Sequence, residues 1–362
     1  MPRNSRQKLL PEFEVFLEDT GVDFIQQQQE YICLSKLFVF PDLRVIRETL
    51  SEDPKDINSK SILDFSDRII IFGDEQSGKT TLAKKIFRDA LCSGYLPVLI
   101  DGNTIKSSDI RENIAKIIPE IYQDLSAEVF FESENIVCII DNLSGAPLSK
   151  RAQRKLISGV NDAFSRAIFF AESSFQFGAP DFISLDEYRK LETLPFGHVR
   201  RGKLIEKWVQ LELSEVVDDG RYWARIDELR DRIDSLVRKN IVPAKPFYIL
   251  MFLQSFEIIT IQRLELTSYG HCYQYLIYQA LERARVRQSE IDTYINVLSE
   301  FGKAILESPS LILNDSELDD FFEEYSKKFI QVNKEKVIDD LVRSNILRSS
   351  ESGLEFRYRY LF

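Results

Sequence analysis

The stretch Arg68-Ile69-Ile70-Ile71-Phe72-Gly73-Asp74-Glu75-Gln76-Ser77-Gly78-Lys79-Thr80-Thr81-Leu82 decides the fold. Its apolar run predicts a buried strand, Gly73 to Thr80 is G-x-x-x-x-G-K-[ST], and Leu82, Ala83, Ile86 and Phe87 then recur at helical spacing. A glycine turn between strand and helix aims successive backbone N–H groups, and the positive end of the helix, at one point. That arrangement suits phosphate. Gly73, Asp74, Glu75, Gln76, Ser77, Gly78, Lys79, Thr80 and Thr81 would cradle a nucleotide, with Lys79 bridging its β- and γ-phosphates and the Thr80 hydroxyl on Mg²⁺.

The chain of 362 residues has room for two or three domains, and its apolar fraction of 44% is that of a globular protein. No segment has the length of a membrane span, and the first residues lack the apolar core of a signal peptide, so a cytoplasmic location is expected. Cys33, Cys92, Cys138 and Cys272 form neither a disulfide framework nor a C-x-x-C metal pair. A formal charge of −11 argues against a dedicated nucleic-acid binder. The basic groups Lys150–Lys155, Arg200–Lys203 and Arg283–Arg287 are expected on solvated helix faces.

Upstream of the P-loop, Gln26–Gln29 reads as a helix surface and Leu37 to Leu43 as an extended segment that docks on the next domain, stopped by Pro41. Ser51 to Lys60 reads as a loop. Downstream, strands are expected at Tyr95–Asp101, Asn135–Asn142, Ala167–Ser173 and Tyr188–Leu194, with helices at Ile110–Tyr122 and Lys150–Ser165 between them. Near-continuous apolar strands alternating with helices predict an α/β core built on a parallel sheet, with its ligand at the carboxyl ends of the strands.

The strand that ends in Asp141 is a Walker B pattern, whose aspartate would hold Mg²⁺ directly or through water. The next residue is Asn142, and an amide is a poor base, so hydrolysis is expected to be slow or to use another polarising group. Glu172, Ser173 and Ser174, at the end of the following strand, are candidates, and they also suit plain strand-end caps.

Beyond Pro195 the pattern turns helical: Leu204 to Leu211, Ile226 to Val237, Pro246 to Leu253, Tyr269 to Arg283, Ser289 to Glu307 and Asp315 to Phe329. Tyr273, Tyr275 and Tyr278 read as packing residues. Glu335 to Val342 predicts a short helix, followed by a strand at Ile346, a turn at Ser349–Gly353 and an alternating strand from Leu354 to Tyr360. This ending suggests a winged helix. It stops at Phe362 among aromatics, so a longer natural chain is expected.

In this order of P-loop, hhhhD strand, helical region and winged-helix-like end, the chain resembles the STAND class of signal-transduction NTPases, relatives of AAA+ proteins. Within that class it is most similar to the bacterial NACHT-like group of anti-phage defence. Leu34 to Pro41, Leu191 to Phe196 with Leu204 to Trp208, and Val337 to Val342 before Phe356 carry the likeness along nearly the whole chain. The resemblance implies an AAA+/STAND-like core at 61–200 after a docking segment at 1–60, a helical domain at 201–310 and a winged-helix-like domain at 311–362. It implies ATP or ADP with Mg²⁺ held at Thr80 and Asp141, catalysis through Lys79 and Asp141, to which Glu172 is added as the strand-end candidate named above, and an adenine contact at Pro246. Helix-start geometry alone would also place Pro246 there.

The implied function is a slow ATPase switch that opens and homo-oligomerises on activation, clustering an effector in response to a trigger such as a phage protein. Neither effector nor repeat-built sensor is evident in the sequence. The winged-helix histidine of many relatives is missing near Tyr358, since His198 and His271 lie elsewhere. The alternatives are an AAA+-like ATPase acting on or loading onto nucleic acid, whose wing should be more basic than Glu351–Arg359, and a small-molecule P-loop kinase. No N-K-x-D guanine motif is present, so adenine is expected. Lys79→Ala should abolish nucleotide binding while the fold survives; near-native ATP affinity by titration calorimetry would remove the P-loop assignment.

Overall fold

The computed structural model describes residues 7–21, 32–46, 56–65, 68–175, 185, 187–212, 219–238, 243–262, 274, 277–278, 280–282, 284–308, 311–344, 346–350 and 353–356. It divides into two compact units, Met1–Gln254 and Ser255–Phe362.

The first unit carries, in chain order, α1 (Pro11–Glu18), α2 (Leu34–Leu37), β1 (Asp42–Val45), β2 (Asp56–Asn58), β3 (Arg68–Gly73), α3 (Lys79–Cys92) and β4 (Leu96–Asp101). There follow α4 (Ile110–Ile121), α5 (Ala127–Phe131), β5 (Ile136–Asp141), α6 (Lys150–Ala163), β6 (Ala167–Glu172) and β7 (Tyr188–Thr193). The helices α7 (His198–Glu212) and α8 (Asp219–Arg238) follow, and α9 (Pro246–Gln262) begins in this unit and runs past its end at Gln254.

The seven strands form one sheet in the order β2-β1-β7-β3-β6-β5-β4. The five from β7 to β4 are parallel, and β1 and β2 continue the sheet antiparallel beyond β7. Every residue of β5 is buried, as are Ile69 to Gly73 of β3, which explains their unbroken apolar runs. Asp109 and Ser149 cap the helices α4 and α6 by accepting from Arg111 N and Ala152 N. No helix among the described residues is long and apolar enough to cross a membrane.

Three expectations are corrected. The segment before the P-loop does more than dock: after the short helix α2, residues 42–45 are a strand of the central sheet, with Leu43 fully buried against β7. Pro41 precedes that strand instead of ending it, and its carbonyl takes both the N–H and the hydroxyl of Ser59. The expected loop 51–60 contains β2 and the start of a 3₁₀ turn over Ser59–Asp64, capped by Asn58. Arg201 is not on a solvated face: 5% exposed, it donates to Asp234 Oδ1 (2.9 and 2.7 Å) and to the Phe196 carbonyl (2.8 Å). His198 Nδ1 lies 3.0 Å from Asp234 Oδ2, so this histidine belongs to the knot that ties α7 to α8. Gln26–Gln29, Tyr273, Tyr275, His271 and Tyr358 lie outside the described residues.

The second unit holds α10 (Ile291–Glu307), α11 (Asp315–Lys328), α12 (Lys334–Arg343), β8 (Leu347–Ser350) and β9 (Gly353–Phe356). Phe301, Phe322, Leu341 and Phe356 meet in its core. Asn314 and Glu317 form a reciprocal capping box on α11. The strands β8 and β9 pair antiparallel, and Leu313 bridges to Leu354 alongside them.

The core of the first unit sets its stability. Phe169 of β6 is fully buried and stacks on Tyr188 of the expected fifth strand at 4.9 Å. Phe169→Ala should cost about 3–5 kcal/mol in denaturant unfolding; a loss under about 1 kcal/mol would mean that the site collapses without a cavity.

Candidate nucleotide-binding site

The chain leaves β3 at Gly73 and enters α3 at Lys79, so the loop between them opens at the carboxyl edge of the sheet. Gly78 caps α3 with a left-handed backbone, φ +89°, a conformation that favours glycine. Gln76 is also left-handed, at φ 60°. Lys79 is buried and its ammonium donates to the carbonyls of Gly73 and Asp74, each at 2.8 Å. Burial lowers its pKa, opposed by the charges of Glu172, Asp141 and Asp74.

Thr80 donates to Asp141 Oδ2 at 2.6 Å, which joins the start of α3 to the end of β5. The other oxygen, Asp141 Oδ1, is buried without a hydrogen-bond partner among the described residues. Burial pushes this carboxyl's pKa up, opposed by the Thr80 hydrogen bond. A hydroxyl beside an under-partnered buried carboxylate is a hard oxygen donor set, and it fits Mg²⁺. Among the described residues no group of three or more His, Cys, Asp or Glu could hold a metal, so a cation here would complete its shell with phosphate and water. Gln76 Oε1, Ser77 Oγ and Thr193 Oγ1 are also buried and unpartnered among the described residues, the last two close over the point where a side chain on Gly73 would begin. Unsatisfied polar groups concentrated at this loop suit a polar ligand.

Residues distant in sequence converge here. Glu172 is the register partner of Gly73 on β6, where its N–H donates to Ser144 Oγ (3.0 Å) and its carboxylate accepts from Ser174 Oγ (3.4 Å). Pro246 Cγ lies 3.7 Å from the point where a side chain on Gly78 would begin. Lys245, which sequence reading passed over, donates to the Glu75 carbonyl at 3.1 Å and pairs with Asp74 Oδ2 at 3.2 Å. Burial raises the Asp74 pKa, but Lys245 and the other partners outweigh it and hold that carboxyl below its usual range. Asp101, also passed over, ends β4 beside Asp141. Its only signal in the sequence was its place as the last residue of an apolar strand. Thr80, Asp101, Asp141 and Asn142 share the wall of a cavity of about 540 Å³, which Phe13 and Ile117 also line.

Residues 312–362 match the family described as Novel STAND NTPase 4. With the P-loop site, the chain is consistent with a STAND-class NTPase module. Solved structures similar to this module include the Orc1 protein of Aeropyrum pernix in complex with DNA, at 13% identity over 82% of this chain and 84% of that one, TM-score 0.45. A RuvB variant of Thermotoga maritima is 13% identical over 80% of this chain and 84% of its own, TM-score 0.39. A Walker-type ATPase of Pyrococcus abyssi is 13% identical over 83% and 91%, TM-score 0.37. No curated protein sequence matches the module.

Because burial lifts the Asp141 pKa above its unfolded value, the folded chain binds the proton more tightly, and stability falls as pH rises through that window. Asp141→Asn should therefore raise the thermal midpoint of the nucleotide-free chain at neutral pH and abolish the gain that Mg²⁺ adds to ATP binding. A lowered midpoint with intact Mg²⁺ dependence would remove Asp141 from the metal site.

Proposed function

We propose that the chain is an ATP-binding, slowly hydrolysing signalling switch of the STAND type, acting in anti-phage defence and coupling nucleotide state to opening and homo-oligomerisation. The observation that carries the reading is the Thr80–Asp141 pair, with its unpartnered carboxylate oxygen, at the mouth of a P-loop that Lys245 and Pro246 also reach.

Each residue has a role in this reading. The backbone from Gly73 to Thr81 binds the phosphates. Lys79 exchanges its two loop carbonyls for β- and γ-phosphate oxygens and neutralises charge as the γ-phosphoryl group leaves. Thr80 and Asp141 would hold Mg²⁺, which supplies charge neutralisation on the β- and γ-phosphates when bound. Glu172, a charge neighbour of Lys79, helps to hold that ammonium at the reacting end. Pro246 packs on adenine, and Lys245 transmits the state of the loop to α9. Asn142 in place of a carboxylate keeps turnover slow, as suits a timer.

The division into a segment at 1–60, a core at 61–200, a helical domain at 201–310 and a winged-helix-like domain at 311–362 belongs to the same proposal, the last resting on α12 and the β8–β9 hairpin. Denaturing the purified protein, identifying released nucleotide and sizing the native chain with ADP and with ATP·Mg²⁺ tests the switch. Retained ADP, and growth from monomer to a larger assembly on ATP, are expected. A constant monomer whose turnover rises only with DNA would favour the nucleic-acid-acting alternative.

A further inference from the structure

Asn142 leaves the attacking water without an evident base on β5, and the neighbouring strand offers one. Asp101 stands in register with Asp141 on the adjacent parallel strand. The two strand ends are held close by an approach that only glycine permits: a β-carbon on Gly102 would stand 2.3 Å from the Asn142 carbonyl oxygen and 2.9 Å from that of Asp141. Asn142 is left-handed, φ 52°, and its Nδ2 lies 3.4 Å from Asp101 Oδ1. The same Oδ1 accepts from Asn103 N and Asn103 Nδ2, each at 3.0 Å. All three bonds fall on one oxygen. Asp101 Oδ2 keeps no protein partner among the described residues, and the side chain is exposed on the cavity that Thr80 and Asp141 also line.

We propose that Asp101 is the general base of nucleotide hydrolysis, a role displaced from β5 to β4, with Asn142 as the residue that positions it. The proposal rests on the nucleotide-hydrolysis reading above. In the step, a water oxygen forms a bond to the γ-phosphorus and the bond from that phosphorus to the β-phosphate oxygen breaks. The electron pair leaves on ADP, and the water's proton passes to Asp101 Oδ2 and then to solvent. The residue's other role, capping the 3₁₀ turn Gly102–Thr104, needs only an oxygen at Oδ1, which asparagine also supplies. Asp101→Asn therefore separates the two roles.

The test uses the full chain with ATP·Mg²⁺ and reads turnover, ATP and ADP affinity, thermal midpoint and the identity of nucleotide recovered after denaturation. Asp101→Asn should lower kcat on the order of 10²-fold, leave both affinities and the midpoint as in the wild type, and yield bound ATP where the wild type yields ADP. Adding Asn142→Glu to that variant should restore turnover. Wild-type turnover in Asp101→Asn would overturn the proposal alone, whereas a wild-type chain that binds ATP and leaves it intact would overturn the nucleotide-hydrolysis reading and the proposal with it. A chain that binds no nucleotide would overturn the reading beneath it and the proposal with it.

Discussion

Asp141 is 4% exposed, and among the described residues its Oδ1 has no hydrogen-bond partner. A buried carboxylate is costly, and leaving an acceptor unsatisfied adds about 1–3 kcal/mol or more for a charged group. The rest of the first unit is arranged around that cost. The strand β5 is buried along its whole length, so its last residue must lie at the sheet edge inside the fold. Thr80 meets it from the first turn of α3, and the buried Lys79 ammonium lies within electrostatic reach. A cation bound here would relieve what the protein leaves unpaired.

The order of strands makes this arrangement possible. β6 lies between β3 and β5, so the P-loop and Asp141 approach the same space from either side of a strand whose end supplies Glu172. β4, on the other side of β5, brings Asp101 next to Asp141. The sheet then continues past β7 through β1 and β2, strands from the part of the chain that precedes the P-loop. Polarity at the edge of an apolar sheet places reactive groups on rigid supports while one end of each strand stays open to solvent.

A second feature is the grip of the helical segment on the loop. Lys245 holds Asp74 and Glu75, and Pro246, the first residue of α9, sits against Gly78. Lys79 meanwhile donates to carbonyls of the same loop. A lysine that satisfies loop carbonyls is set to exchange them for phosphate oxygens, so the loop's hydrogen bonds and those of α9's first residues are not independent.

Much of this was legible in the residues. The run from Arg68 to Leu82 announced strand, loop and helix because each flank carried its own periodicity, and the β5 strand ending in Asp141 was readable because a doubly buried strand is apolar throughout. The near-continuous strands also pointed to a mainly parallel sheet. The segments at 42–45 and 56–58 were misread, since Asp42-Leu43-Arg44-Val45 and Asp56-Ile57-Asn58 carry too few apolar residues to signal strands that pair at the sheet's far side. Arg201 was misread because a basic run looks solvated until its partner, Asp234, arrives from another helix. The sequence by itself determined what depends on neighbours along the chain: the phosphate loop, the helix caps and the apolar strands. Only the tertiary structure decided which strand ends stand side by side, and hence that Asp101, Lys245 and Thr193 join the site, because strand order and long-range approach depend on packing between elements that no local periodicity encodes.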